Sequence, residues 1–142
     1  MSSALVLADA IEQMLPEDLN LFTAAVKLGE RGQTAEAALP WVVVIAHLPV
    51  PATRSLAGRR HASTATVTMT IAGMTPNSVR VICDRVIPAI EHQRPAAAGW
   101  NTGRMRLINA RPISEDPDIT LTGTNRKVVY TVLEWELTVA EA

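Results

Sequence analysis

A single cysteine, Cys83, stands in the 142 residues, so no internal disulfide can form. It falls among apolar residues at helical spacing and reads as a small buried hydrophobe. Charge is scarce as well: 19% of residues are charged against 48% hydrophobic, and the formal net charge is −1. So neutral a chain sets up no global field that would draw nucleic acid or an anionic membrane, and such a partner would need a local basic patch. An apolar share this high leaves surface over for a protein partner. No run approaches the roughly 20 apolar residues that span a bilayer. Met1 to Leu15 is interrupted by Asp9 and Glu12 and lacks a basic lead-in, which argues against a secretory signal and for a reducing cytoplasm. Also missing are G-x-S-x-G, C-x-x-C, G-x-G-x-x-G and Walker-type patterns. Local spacing therefore builds neither an activated nucleophile nor a phosphate cradle.

What is present is clearest between Thr64 and Arg94. Ala65, Val67, Met69 and Ile71 alternate with Thr64, Thr66, Thr68 and Thr70, the period of two of a strand with one buried face. Gly73 then ends the strand, Thr75 can cap a helix, and Pro76 suits a first helical position. Val79, Ile82, Cys83, Val86, Ile87 and Ile90 recur at helical spacing, with Arg80, Asp84 and Glu91 opposite, so the apolar stripe is expected to lie on the sheet. Pro88 predicts a kink, and the helix is expected to fray by about Gln93.

Around this unit, Ser2 or Ser3 can cap a first helix whose Leu7, Ala8, Ile11, Met14 and Leu15 share a face, ending near Pro16. Leu19 to Leu28 fits a helix or a short edge strand, and a short strand is favoured. Glu30 to Leu39 reads as a surface connection. Trp41 to Leu48, a β-branched run between Pro40 and Pro49, is expected to be a strand covered on both faces, central or well protected. Pro49 to Ser63 reads as a long, mobile, basic loop. Pro95 to Gly103 is a loop with Trp100, and Arg104 to Ile113 an edge or irregular strand. Ser114 to Asp118 is an acidic turn, and Gly123 to Asn125 another. In the last strand Val129, Thr131, Leu133, Trp135, Leu137 and Val139 share one face, and Tyr130, Val132, Glu134, Glu136 and Thr138 the other. The whole predicts one α+β domain over 1–142: a mixed, mainly antiparallel sheet of about four strands with two helices packed on one face, order α-β-β-α-β-β, with room for an extra short edge strand.

Candidate chemistry is sparse. His47, His61 and His92 lie on unrelated elements without the i, i+4 spacing of a helical metal site. Glu115, Asp116 and Asp118 lack the further oxygen ligands and glycine spacing of a calcium loop and read as a solvated acidic segment. Glu134 and Glu136 point to the same side of a strand, as catalytic carboxylates would, yet such a pair also keeps a strand face wet. Arg54, Arg59 and Arg60, with His61, form the strongest charge cluster. A solvated loop, a protein interface and phosphate contacts all fit it, although no aromatics are interleaved as single-strand binding favours. The acidic segment of a neighbouring subunit is an equally good partner.

The order of elements carries a resemblance. A short N-terminal helix and a small edge element lead into the Pro40-Trp41-Val42-Val43-Val44 strand and a long loop. An alternating strand ending in Gly73 and the helix from Pro76, with its Arg85-Val86-Ile87-Pro88-Ala89-Ile90 stretch, come next. Two closing strands end in Tyr130-Thr131-Val132-Leu133-Glu134-Trp135-Glu136-Leu137. Over nearly the entire chain this resembles the tail terminator (minor tail, tail completion) proteins of long-tailed bacteriophages, the lambda-like ones included. The resemblance implies a structural role without catalysis or cofactor. Six copies would close as a ring on the finished tail tube, stop its polymerisation and offer a surface to the head connector. It implies as partners further copies of the chain, the tail tube protein and a head-side connector or head closure protein. DNA would be met only as it passes through the ring lumen, and no membrane would be involved. The expected location is the virion, at the tail end or neck, after assembly in the host cytoplasm. The resemblance brings no residue roles; the candidate subunit or tail-tube interface of Arg54, Arg59, Arg60, His61, Glu115, Asp116 and Asp118 comes from charge and exposure. A head closure or head-to-tail adaptor protein of the neck shares size and assembly habit, and a small ligand-binding regulatory α+β module is a further reading. An enzyme would rest on Glu134 and Glu136.

Overall fold

The alternation around Thr64 to Ile71 forms a strand, longer than its threonine-rich centre, because the residues on both sides find ladder partners. The computed structural model describes residues 3–16, 20–22, 41–54, 60–120 and 127–141. Along these run α1 (Ala4–Glu12), β1 (Asn20–Phe22), β2 (Trp41–Ala46), β3 (Val50–Arg54), β4 (Arg60–Gly73), α2 (Pro76–Ile90), β5 (Trp100–Thr102), β6 (Arg106–Ala110), β7 (Ser114–Thr120) and β8 (Lys127–Glu141). The α+β class with two helices on one face of a mainly antiparallel sheet is what the residues form. The ladder holds eight strands among the described residues rather than about four. One of the others, β1, is the short edge strand expected within Leu19 to Leu28; β3, β5 and β7 are short segments inside stretches expected to be loops or a turn.

Two long strands organise the sheet. β4 and β8 pair antiparallel from Ser63 with Val139 to Gly73 with Val129. Each is flanked on its other side by a segmented partner. β2 and then β3 run along β4, the break at residues 47–49 bridged by His47 N–H donating to Thr66 O at 2.9 Å. β5, β6 and β7 run in turn along β8, with Gly103 N–H donating to Thr138 O at 2.7 Å and Arg111 N–H to Val132 O at 2.9 Å across the two breaks. Pro49 and Pro112 stand at two of the interruptions, where a missing N–H stops a regular ladder but is tolerated in a flanking strand. β1 adds a short parallel pairing to Trp41, Val42 and Val43.

Several expectations change accordingly. The basic stretch from Pro49 to Ser63 is no long loop: β3 and the start of β4 form a hairpin whose last rung pairs Arg54 with Arg60. The acidic segment is strand β7, not a turn, since the N-terminal part of β8 offers it ladder partners; pairing overrides its low strand propensity. β2 lies next to the edge element instead of at the centre, and Ile45 is 44% exposed, so the run is not covered on both faces. Its β-branched continuity reflects one buried face plus Trp41 and a partly buried Val43. The connection over residues 30–39 and the turn at residues 123–125 lie outside the described residues.

The core lies between the helices and one face of the sheet. Ala65, Val67, Met69 and Ile71 meet Leu133, Trp135 and Leu137 from β8, with Leu7 and Ile11 from α1 and Val79, Val86 and Ile90 from α2 above them. Burying each large apolar side chain is worth about 1.5–3 kcal/mol, well above the propensity cost of about 0.7 kcal/mol or less that an ordinary residue brings to a helix. Packing therefore holds α2, whose β-branched residues are poor helix formers. The Thr75 hydroxyl accepts from Ser78 N–H at 3.1 Å, as the cap requires, and Pro76 follows it. Pro88 falls in the last turn, and the helix stops at Ile90, sooner than expected. α1 stops at Glu12 and buries Ala10 rather than Ala8. Ser3 takes the N-cap position without a side-chain cap bond; its carbonyl instead accepts from Leu7 N–H at 3.2 Å and from the Trp100 indole at 2.9 Å. Cys83 is partly exposed rather than fully buried; burial, then neighbouring Asp84, pushes its thiol pKa up.

Candidate interaction surface

On the sheet face away from the helices, the alternation that buries odd-numbered residues of β4 and β8 turns the even-numbered ones of their middle stretch outward. Thr66 stands opposite Glu136 and Thr68 opposite Glu134. Neither carboxylate is isolated. Arg106 from β6 donates to Glu136 at 2.7 Å, and Arg111 donates to Glu134 at 2.7 Å, with Asn109 adding a 3.3 Å bond to Glu134. The hydrogen bond from Arg111, then that from Asn109, holds the Glu134 carboxyl below the ordinary glutamate range. A carboxylate tuned this way stays ionised at neutral pH, the reverse of the upward shift that makes glutamate a general acid. The two glutamates thus serve as cross-strand anchors for the broken flanking strand. On the other flank, His47 Nε2 lies 3.0 Å from Thr68 Oγ1.

The charged candidates separate to the two ends of the long strand pair. Arg60 and His61 begin β4, ahead of its ladder with β8, and Arg54 is paired with Arg60 in the hairpin. Glu115 and Asp116 pair with Val129 and Val128 near the start of β8, and Asp118 follows in β7. From the Ser63–Val139 rung to the Gly73–Val129 rung the ladder runs ten residues, roughly 33 Å at strand rise. The structure therefore does not bring the basic and acidic sets together within one chain. Arg59 lies outside the described residues. The three histidines stay apart on β2's exit, β4 and α2's exit, and among the described residues no three metal-ligating side chains converge.

One feature was not foreseen. An open pocket of about 480 Å³ is lined by His92, Gly103, Arg104, Arg106, Glu136, Leu137 and Thr138. Its walls come from the exit of α2, the β5–β6 break with the start of β6, and β8. His92 adopts φ 64°, a left-handed conformation that histidine takes more readily than most non-glycine residues. It is held there as its N–H donates to Met105 O at 2.9 Å while Met105 N–H donates to Gln93 O at 2.8 Å. Gly103 allows the close approach, since an added Cβ would lie 3.1 Å from Thr138 O. The only trace of this in the sequence was the alternation of Arg104 and Arg106, which reads as the wet side of a strand.

No known protein family matches the chain, and no curated protein matches it either. No helix among the described residues is long and apolar enough to cross a membrane.

Proposed function

We propose that this chain is a tail terminator protein of a long-tailed bacteriophage. It closes as a ring, taken to be a hexamer, on the finished tail tube, stops tube growth and presents a docking surface to the head connector. The observation that best supports this reading is the distribution of charge along the central ribbon, basic residues at one end and acidic residues at the other. Opposite patches too far apart to meet within a chain suit contacts between copies, and a head-to-tail contact of two different patches closes into a ring when its rotation allows. The outward sheet face, with its carboxylates neutralised by arginines, is suited to a hydrated contact rather than to catalysis, and the role needs no cofactor. In this reading the protein resides in the virion at the tail end or neck, meeting the tube protein on one side and the head-side connector on the other.

The test is electron microscopy of particles assembled with the gene silenced, scoring tail length and head attachment together. Overlong or ragged tails without heads are expected. Tails of uniform normal length beside unattached heads would move the protein to the head side of the neck and remove the termination role.

A further inference from the structure

Two arginines on and just beyond β6 are accounted for within the chain. Arg106 is spent on Glu136, Arg111 on Glu134. Arg104 and Glu115 are both exposed, and neither has a hydrogen bond or ion pair among the described residues. They cannot answer each other internally. Gly103 sits beside Thr138 and Glu115 beside Val129, nine residues apart on β8, roughly 30 Å. Their settings also differ: Arg104 lines a concave pocket whose other cation, Arg106, already neutralises the pocket's one carboxylate, whereas Glu115 projects from a segmented strand whose next residue is Asp116.

We infer that the pocket formed by His92, Gly103, Arg104 and Arg106 receives the acidic strand β7 of a second copy of this chain, with Arg104 as the acceptor of Glu115. The occupant follows from complementarity: the pocket is concave with one uncommitted guanidinium, and β7 carries an uncommitted exposed carboxylate at the far end of the same ribbon. The fork of an arginine binds carboxylates in two-point geometry, and the Arg106–Glu136 pair beside it removes the repulsion that a bare Glu136 would exert on an entering carboxylate. Contact of one chain's pocket with the next chain's strand is heterologous, so it propagates from copy to copy. The inference rests on the ring reading for its supply of adjacent copies, and it shifts the principal cationic contact from the Arg54–Arg60 hairpin to the pocket.

Sedimentation of the full chain at low and high salt, with Arg104→Glu, Glu115→Arg and the double swap, tests it. Wild type is expected to self-associate, more weakly in high salt. Each single reversal, placing like charges together, is expected to loosen association about tenfold or more. The double swap, which restores opposite charges across the contact, is expected to recover most of it. Thermal melts close to wild type, expected for two exposed positions, separate loss of contact from loss of fold. Association unchanged by either reversal, a loss on Arg104→Glu alone, a swap that fails to recover association, or a wild-type chain that stays monomeric at low salt would each overturn the inference. Silencing separates the two claims. Overlong tails together with unaffected association in Arg104→Glu remove the pocket contact and leave the terminator role standing. The recovered swap together with tails of normal length does the reverse.

Discussion

The two faces of the β4–β8 ribbon share a backbone and a register but not a task. On the covered face Val67 stands opposite Trp135 and Met69 opposite Leu133, all nearly inaccessible to solvent. One residue along, Thr66 stands opposite Glu136 and Thr68 opposite Glu134, partly exposed and tied to the flanks by arginine. Close packing punishes any change of volume on the first face, whereas on the second a lost group is replaced by water. Through the middle of the ribbon stability is therefore concentrated on odd-numbered positions, and Thr66, Thr68, Glu134 and Glu136 are free to carry surface chemistry, whereas towards the Gly73 end the even-numbered Ala72, Val128 and Val132 are buried as well.

The largest effect should come from emptying the covered face. Trp135 is 0% exposed, and its indole N–H has no hydrogen-bond partner among the described residues, so its contribution there is packing. Trp135→Ala is expected to cost about 3–5 kcal/mol, lowering the melting temperature by roughly 10 °C or more, while Thr66→Ala on the other face costs under about 1 kcal/mol. Thermal melts of the two variants side by side check the contrast, and equal losses would break it.

Two polar residues sit in the buried row, Ser63 at its start and Thr131 deeper in. Thr131 sits in the buried row at 4% exposure, opposite Ile71, where an apolar residue would be expected. Its hydroxyl donates to Arg111 O at 2.6 Å, while Arg111 N–H donates to Val132 O at 2.9 Å. The polar intruder pins the break between β6 and β7. Thr131→Val keeps the shape and removes the donor, leaving a carbonyl short of a partner, and is expected to cost about 1–2 kcal/mol. Amide exchange should speed up at Ser114 and Glu115 but not in the β4–β8 ladder. Uniform exchange throughout would show that the bond does not govern the break.

The same division explains how much could be read from the chain. The alternation in β4 and β8, the cap at Thr75 and the stripe of α2 are local patterns answering to one buried face, and each residue named there for burial is buried except Cys83 and Ile87, which are partly exposed. The segmented flanks were not legible. Val50 to Arg54 and Ser114 to Thr120 carry proline and acidic residues that signal turns, yet both pair because a long strand beside them has backbone groups to satisfy. The candidate surface suffered in the same way. Arg54, Arg60, Glu115 and Asp116 were found by composition, but their separation at opposite ends of the ribbon follows only from register. The pocket at His92 and Arg104 depends on the α2 exit and the β5–β6 break meeting Glu136, Leu137 and Thr138 of β8, which are distant in sequence, and periodicity carries no such information.

The smallest effect lies wholly on the open face and sharpens the contrast by its pH dependence. The Arg111 guanidinium, and next the Asn109 amide, favour ionised Glu134 in the folded state, so its carboxyl titrates lower than it does in the unfolded chain. A group whose folded pKa is depressed contributes stability above the unfolded value, and that contribution drains away as pH falls through the folded one. The loss should thus begin near the ordinary glutamate range, about pH 4.3, and grow below it. Because the pair is accessible to water, the effect is small and weakened by salt. In Glu134→Gln the charge is absent at every pH, so its melting temperature should lie slightly below wild type at neutral pH and converge with it in acid. Melting curves of both proteins from neutral to acid pH, at low salt, measure the convergence. A gap that stayed constant across the range would mean that shape and hydrogen bonding, rather than charge, tie Arg111 to this face.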